Sequence, residues 1–150
     1  MVATRQTFNN LGRVMDDVHE LFGQWAEEGA FSPLFDEDKV LLMRLAVHEW
    51  LANLVQHADF GEQTPEIILD VQPNGKRVRC VIEDNSRGFD LDLHIERRRQ
   101  ALDAFPDRGM GLLMLQAATE YLDYRRGENG HHRLEFSVAA DQDPWLTIPF

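Results

Sequence analysis

Residues 67–84 read Ile67-Ile68-Leu69-Asp70-Val71-Gln72-Pro73-Asn74-Gly75-Lys76-Arg77-Val78-Arg79-Cys80-Val81-Ile82-Glu83-Asp84. Ile67, Leu69 and Val71 alternate with Ile68, Asp70 and Gln72, and Val78, Cys80 and Ile82 alternate with Arg77, Arg79 and Val81. A period of two with one apolar set marks a strand that buries one face. Asn74-Gly75 between the two runs is a strong two-residue hairpin signal. The pattern repeats near the end of the chain. Leu122 and Tyr124 lead into Glu128-Asn129-Gly130, and Leu134, Phe136 and Val138 alternate on the return. Hairpins with one apolar face call for a mostly antiparallel sheet covered by helices on one side, a two-layer α+β sandwich.

Upstream, the period changes to that of helices. Leu11, Val14, Met15, Val18, Leu21, Phe22 and Trp25 fall at intervals of three and four. They form one apolar face of a helix that Asn9 or Asn10 could cap and Gly29 could end. Val2 to Phe8 could add a short strand before it. Asp36 offers an N-cap for a second helix running to about Ala58. Val40, Leu41, Leu42, Leu45, Ala46, Val47, Trp50, Leu51, Leu54 and Val55 make that helix apolar on nearly every side, so it should be largely buried. A polar helix-like stretch from about Leu93 to Ala104 and a glycine-bounded helix from about Gly109 to Ala118 are expected between the hairpins. The tail from Ala140 is given no regular structure.

The chain has 150 residues, 43% hydrophobic and 27% charged, an ordinary globular balance that suggests one domain over residues 1–150. No apolar run is long enough to cross a membrane, because Arg44 and His48 interrupt the richest one, and no signal-peptide core follows the N-terminus. A cytoplasmic protein is therefore expected. The single cysteine, Cys80, rules out an internal disulfide and reads as a small buried hydrophobe. A formal net charge of −11 repels nucleic acid, and the short clusters Arg97-Arg98-Arg99 and Arg125-Arg126 read as solvated surface. A polyanionic ligand would need local devices: backbone N–H groups, a helix N-terminus or a metal ion.

Three constellations bear on chemistry. Glu49, Asn53 and His57 stand at i, i+4 and i+8 and stack on one side of the second helix. Buried polar groups must find partners, either other protein groups or a ligand and a metal. Glu83-Asp84-Asn85-Ser86-Arg87-Gly88 ends a strand in a carboxylate, with a glycine four positions on that permits a tight turn. It is either an acidic turn or an acceptor for an amino group such as that of adenine. Arg108-Gly109-Met110-Gly111-Leu112 opens a helix with two glycines, either as a plain junction or to bring N–H groups to phosphates.

Together, in this order and spacing, the three resemble the boxes of the GHKL ATPase superfamily: Glu49-Trp50-Leu51-Ala52-Asn53 as the N box, Asp84 through Gly88 and Arg108-Gly109-Met110-Gly111-Leu112 as the glycine boxes. The resemblance runs from the first helix to the last hairpin and implies the Bergerat ATP-binding fold. A stand-alone domain of this size, with Asn53-Leu54-Val55-Gln56-His57-Ala58 in its N box, is similar to the anti-sigma-factor serine kinases.

That resemblance implies ATP and Mg²⁺ as cofactors and a protein serine or threonine as acceptor. Glu49 would be the general base. Asn53 would ligate Mg²⁺, and Asp84 would bind the adenine amino group. Gly88 would let the backbone pack beside the base. Gly109, Met110, Gly111 and Leu112 would bring backbone to the phosphates, with Arg108 a further contact. Residues 91–107 would be a lid over ATP. His57 either lines the nucleotide site or holds the helix end. His48 reads as structural, and His131 and His132 read as surface residues after a hairpin turn.

The implied partners are a STAS-domain antagonist, a sigma factor or similar client, and a second copy of the chain in a homodimer. The alternative is a non-catalytic nucleotide-binding module that only sequesters a partner. Many members of the superfamily have Gly where Ser86 stands, which leaves the conformation of that turn to be settled.

Overall fold

The computed structural model describes residues 4–31, 37–88, 121–127 and 129–140. Its elements run β1 (Thr4–Phe8), α1 (Val14–Glu27), α2 (Glu37–His57), β2 (Ile67–Asn74), β3 (Arg77–Asp84), β4 (Tyr121–Arg126) and β5 (His132–Ala139). The strands form a five-stranded sheet in the order β1-β2-β3-β5-β4, each neighbouring pair antiparallel. The expected α+β sandwich is what forms.

One core joins the helices to one sheet face. Val14, Val18, Phe22 and Trp25 of α1 meet Met43, Ala46, Val47, Trp50, Leu51 and Leu54 of α2. Beneath them lie the apolar alternates Ile67, Leu69 and Val71, Val78, Cys80 and Ile82, and Leu134, Phe136 and Val138. Cys80 is fully buried as one of these, and burial pushes its thiol pKa up, with the charge of Asp70 adding to the effect. A buried thiol of that kind is an inert hydrophobe.

Two local details differ from the sequence reading. The first helix starts at Val14 rather than Leu11. Asn10 Oδ1 accepts the Gly12 N–H at 2.9 Å and the Asn10 carbonyl accepts the Arg13 N–H at 3.1 Å, so residues 11–13 form a turn. Gly12 weakens helix there, while Asn10 finds its bonds in the turn. The first hairpin is closed by Gly75-Lys76, not Asn74-Gly75, because Asn74 pairs with Arg77. Gly75 has φ of +60°, as the first position of a primed turn requires.

Cross-strand register puts the site at one end of the sheet. On the helix-covered face, Leu69, Ile82 and Leu134 stand side by side as an apolar row. The next row outward is Phe8, Ile67, Asp84, His132 and Arg126. It begins apolar and turns polar at Asp84, so the end of β3 is where the core gives way to chemistry.

Candidate functional site

Asp84 is fully buried on the helix-covered face. Its Oδ1 accepts the Ser86 N–H at 3.0 Å and the Ser86 hydroxyl, while its Oδ2 is buried with no hydrogen-bond partner. Burial pushes the Asp84 pKa up. The Ser86 hydrogen bonds and the charges of His132 and His131 pull it down, but burial prevails. A buried carboxylate oxygen with nothing to accept is the acceptor a ligand N–H would satisfy.

The turn after Asp84 is tied down on both sides. The Asn85 side chain accepts the Glu66 N–H at 2.8 Å and donates to the Thr64 carbonyl at 2.9 Å. The Arg87 N–H donates to the Asp59 carbonyl at 2.9 Å, and its guanidinium pairs with the Asp59 carboxylate at 3.3 Å. Gly88 has φ of +76°, and a Cβ there would lie 2.3 Å from His132 Nε2. Glycine is required twice over, by the left-handed backbone and by the histidine against it. Ser86 does not distort the turn, because no residue other than glycine has positive φ among the described residues.

His132 is not a surface residue. It is half-buried and stands directly opposite Asp84 in the β3–β5 register. Its Nδ1–H donates to the Ser86 carbonyl at 3.1 Å, and its ring stacks on Tyr124 at 5.8 Å. Tyr124 in turn meets Trp50 edge-on at 5.2 Å. A chain of contacts thus runs from α2 through Tyr124 and His132 to the turn at Ser86. His131, also half-buried, lies 3.8 Å from Glu83 and 3.9 Å from Glu66. The sequence signal was the alternation itself: counting back by twos from Val138, Phe136 and Leu134 puts His132 on the inner face.

On α2, Asn53 is buried at 7% exposure and its Nδ2 has no hydrogen-bond partner. Glu49, one turn earlier, is half-buried. His57 is the exposed last residue of α2, and His48 is also exposed. Arg108, Gly109, Met110, Gly111 and Leu112, and the expected lid over residues 91–107, lie outside the described residues. Among those described, no group of His, Cys, Asp and Glu side chains is placed to hold a metal ion. No helix among them is long and apolar enough to cross a membrane.

The histidine kinase-like ATPase domain matches residues 15–136 of this chain, a span that holds the strand-end carboxylate, the polar stripe of α2 and the glycine turn after β3. The chain belongs to the histidine kinase-like ATPase family. Comparison with curated proteins finds no match. Members of this family bind ATP, usually with Mg²⁺, and the residues present fit that ligand. Asp84 Oδ2 offers the acceptor that an exocyclic amino group needs. Asn53 brings an amide whose oxygen is a hard ligand suited to Mg²⁺. Asp84, Asn53 and the Gly88 turn, the described part of the candidate site, all lie within the residues that the family matches.

Proposed function

We propose that this protein is an anti-sigma-factor-type serine/threonine protein kinase. It binds ATP with Mg²⁺ and transfers the γ-phosphoryl group to a STAS-domain antagonist. It also holds a sigma factor or a similar regulatory client. The observation that carries the nucleotide half is the buried Asp84 carboxylate with one unpartnered oxygen. The kinase half is supported by Glu49, a carboxylate one helical turn from Asn53. A module that only sequesters needs no base there.

In this reading Asp84 accepts a hydrogen bond from the adenine amino group, and the Gly88 backbone packs beside the base. Asn53 holds Mg²⁺, which neutralises phosphate charge when bound. The Glu49 carboxylate takes the proton of the acceptor hydroxyl as its oxygen bonds to the γ-phosphorus, and ADP leaves. The product serine phosphate carries about −1.5 to −2 charges at neutral pH. Against a chain of net charge −11, that gain favours release of the antagonist. The protein works in the cytoplasm, paired with a second copy.

The test is incubation with Mg²⁺, γ-labelled ATP and candidate STAS-domain proteins. Label is expected on a serine or threonine of one of them. Glu49→Gln should lower the transfer rate by about 10²-fold or more while leaving ATP binding intact. Transfer at the wild-type rate by that variant would remove Glu49 from the role of base. ATP binding with no transfer to any STAS protein would leave the sequestering module as the function.

A further inference from the structure

Ser86 is almost fully buried at 6% exposure, and it uses every polar group it has. Its N–H and its hydroxyl both donate to Asp84 Oδ1. The hydroxyl oxygen accepts the Gly88 N–H at 3.1 Å, and its carbonyl accepts from His132 Nδ1 at 3.1 Å. Two donors on one carboxylate oxygen fix the carboxylate's rotation and leave Oδ2 as the oxygen without a partner. A glycine at this position would supply the N–H alone.

We propose that Ser86 is a positioning residue for base recognition, its N–H and hydroxyl holding the Asp84 carboxyl group turned so that Oδ2 meets an exocyclic amino group. This rests on the reading of Asp84 as the base-binding carboxylate. The chemistry is that of an acceptor. An ionised carboxylate has no proton to give, so it welcomes an amino group and opposes a carbonyl oxygen at the same place. Burial works against that state, and the Ser86 bonds restore part of it. Ser86 therefore sets how strongly the site prefers a 6-amino purine over a 6-oxo purine.

Other charged groups surround the site. His132 of β5 and His131 just before it act on Asp84 directly, and Arg126 of β4 is the register partner of His132. The Arg87–Asp59 pair borders the turn, and Glu66 and Glu83 stand beside His131. On α2, Glu49 and His57 belong to the polar stripe. All of these are common to wild type and Ser86 variants, so a difference between the two reports on Ser86.

The experiment is calorimetric titration of the whole chain with ATP and with inosine triphosphate, both with Mg²⁺, from about pH 5 to about pH 8. Wild type, Ser86→Ala, Ser86→Gly and Ser86→Thr are compared after their folding is checked by circular dichroism. Wild type is expected to favour ATP near neutral pH and to lose that preference in acid. In Ser86→Ala and Ser86→Gly, ATP should bind roughly five- to tenfold more weakly near neutral pH. Their acid loss should set in at a higher pH than that of wild type. Ser86→Thr, which keeps the hydroxyl, should follow wild type.

If the Ala and Gly variants keep the wild-type acid profile and the wild-type ATP preference, the positioning role falls and the ATP site stands. If wild type binds ATP no better than the inosine nucleotide at any pH, the base-binding role of Asp84 falls and takes this proposal with it. If neither variant folds, carbon NMR of the wild-type Asp84 carboxyl decides: an ionised group near neutral pH supports the proposal, and a protonated one overturns it.

Discussion

At the scale of the residue, the proposed role of Asp84 in recognition works against stability. Burial raises its pKa above the ordinary 3.8, so the folded chain binds that proton more tightly than the unfolded chain does. The resulting contribution to stability is full below the unfolded value and is lost as pH rises through the folded one. Wherever Asp84 is ionised, the ligand-free fold carries a buried, half-satisfied charge. Asp84→Asn removes the charge while its carbonyl oxygen can still accept from Ser86. Urea unfolding near neutral pH should find this variant more stable by on the order of 1 kcal/mol, with the gap closing in acid. Protection of the variant by ATP should vanish. A variant less stable than wild type at neutral pH would show that the carboxylate is satisfied in the free protein. Asp84 was legible in the sequence because the apolar alternation of β3 stops there, which is local information. Ser86 and His132 were harder, since their roles depend on the β3–β5 register, which joins residues far apart in the chain.

At the scale of the element, the sheet's other face carries a polar network that spans β2, β3, β5 and β4. Glu135 accepts hydrogen bonds from Arg79, from Tyr121 and, at 3.0 Å, from Arg133. Arg79 also donates to Gln72 of β2 at 3.0 Å, and Gln72 donates to Asp70 at 3.0 Å. Burial pushes the Glu135 pKa up, but the bonds from Arg79 and Tyr121 and the nearby guanidinium charges outweigh it, so the net direction is down from 4.5. A lowered carboxylate contributes stability above its unfolded pKa and loses it as pH falls through the folded one. Glu135→Gln should cost about 1 kcal/mol near neutral pH and almost nothing in strong acid, read by thermal unfolding at a series of pH values. Because Glu135 lies on the face away from Asp84, ATP affinity should not change. A drop in ATP affinity would mean that the two faces are coupled through the strands. The elements themselves were readable, because periods of two and of three to four are written in neighbouring residues. Their edges were less so: Asn10 builds a turn before α1, and the register of the first hairpin is decided by pairing along all of β2 and β3.

At the scale of the whole molecule, a chain of net charge −11 takes up a polyanion. Bulk field and local site act in opposite senses here, and salt separates them. The field of distributed surface charge reaches over a Debye length, about 30 Å at 0.01 M salt and about 10 Å at 0.1 M. It acts on the approach of a charged ligand. Contacts made inside the site, such as an amino group on Asp84 Oδ2, are screened far less. If the bulk field governs encounter, the association rate of metal-free ATP should rise several-fold as salt is raised across that range. ATP carrying Mg²⁺ has less charge to repel, so its association rate should change less. Stopped-flow mixing with a fluorescent ATP analogue, with and without Mg²⁺, measures both. A rate that falls with salt in the same way as for a cationic pocket would overturn this picture. It would mean that local cations dominate the approach path. Arg87 and Arg126 are the candidates, because they line a shared groove beside the turn. The dissociation rate discriminates further. It should be nearly insensitive to salt if the base end, held by Asp84, is what keeps the nucleotide in place.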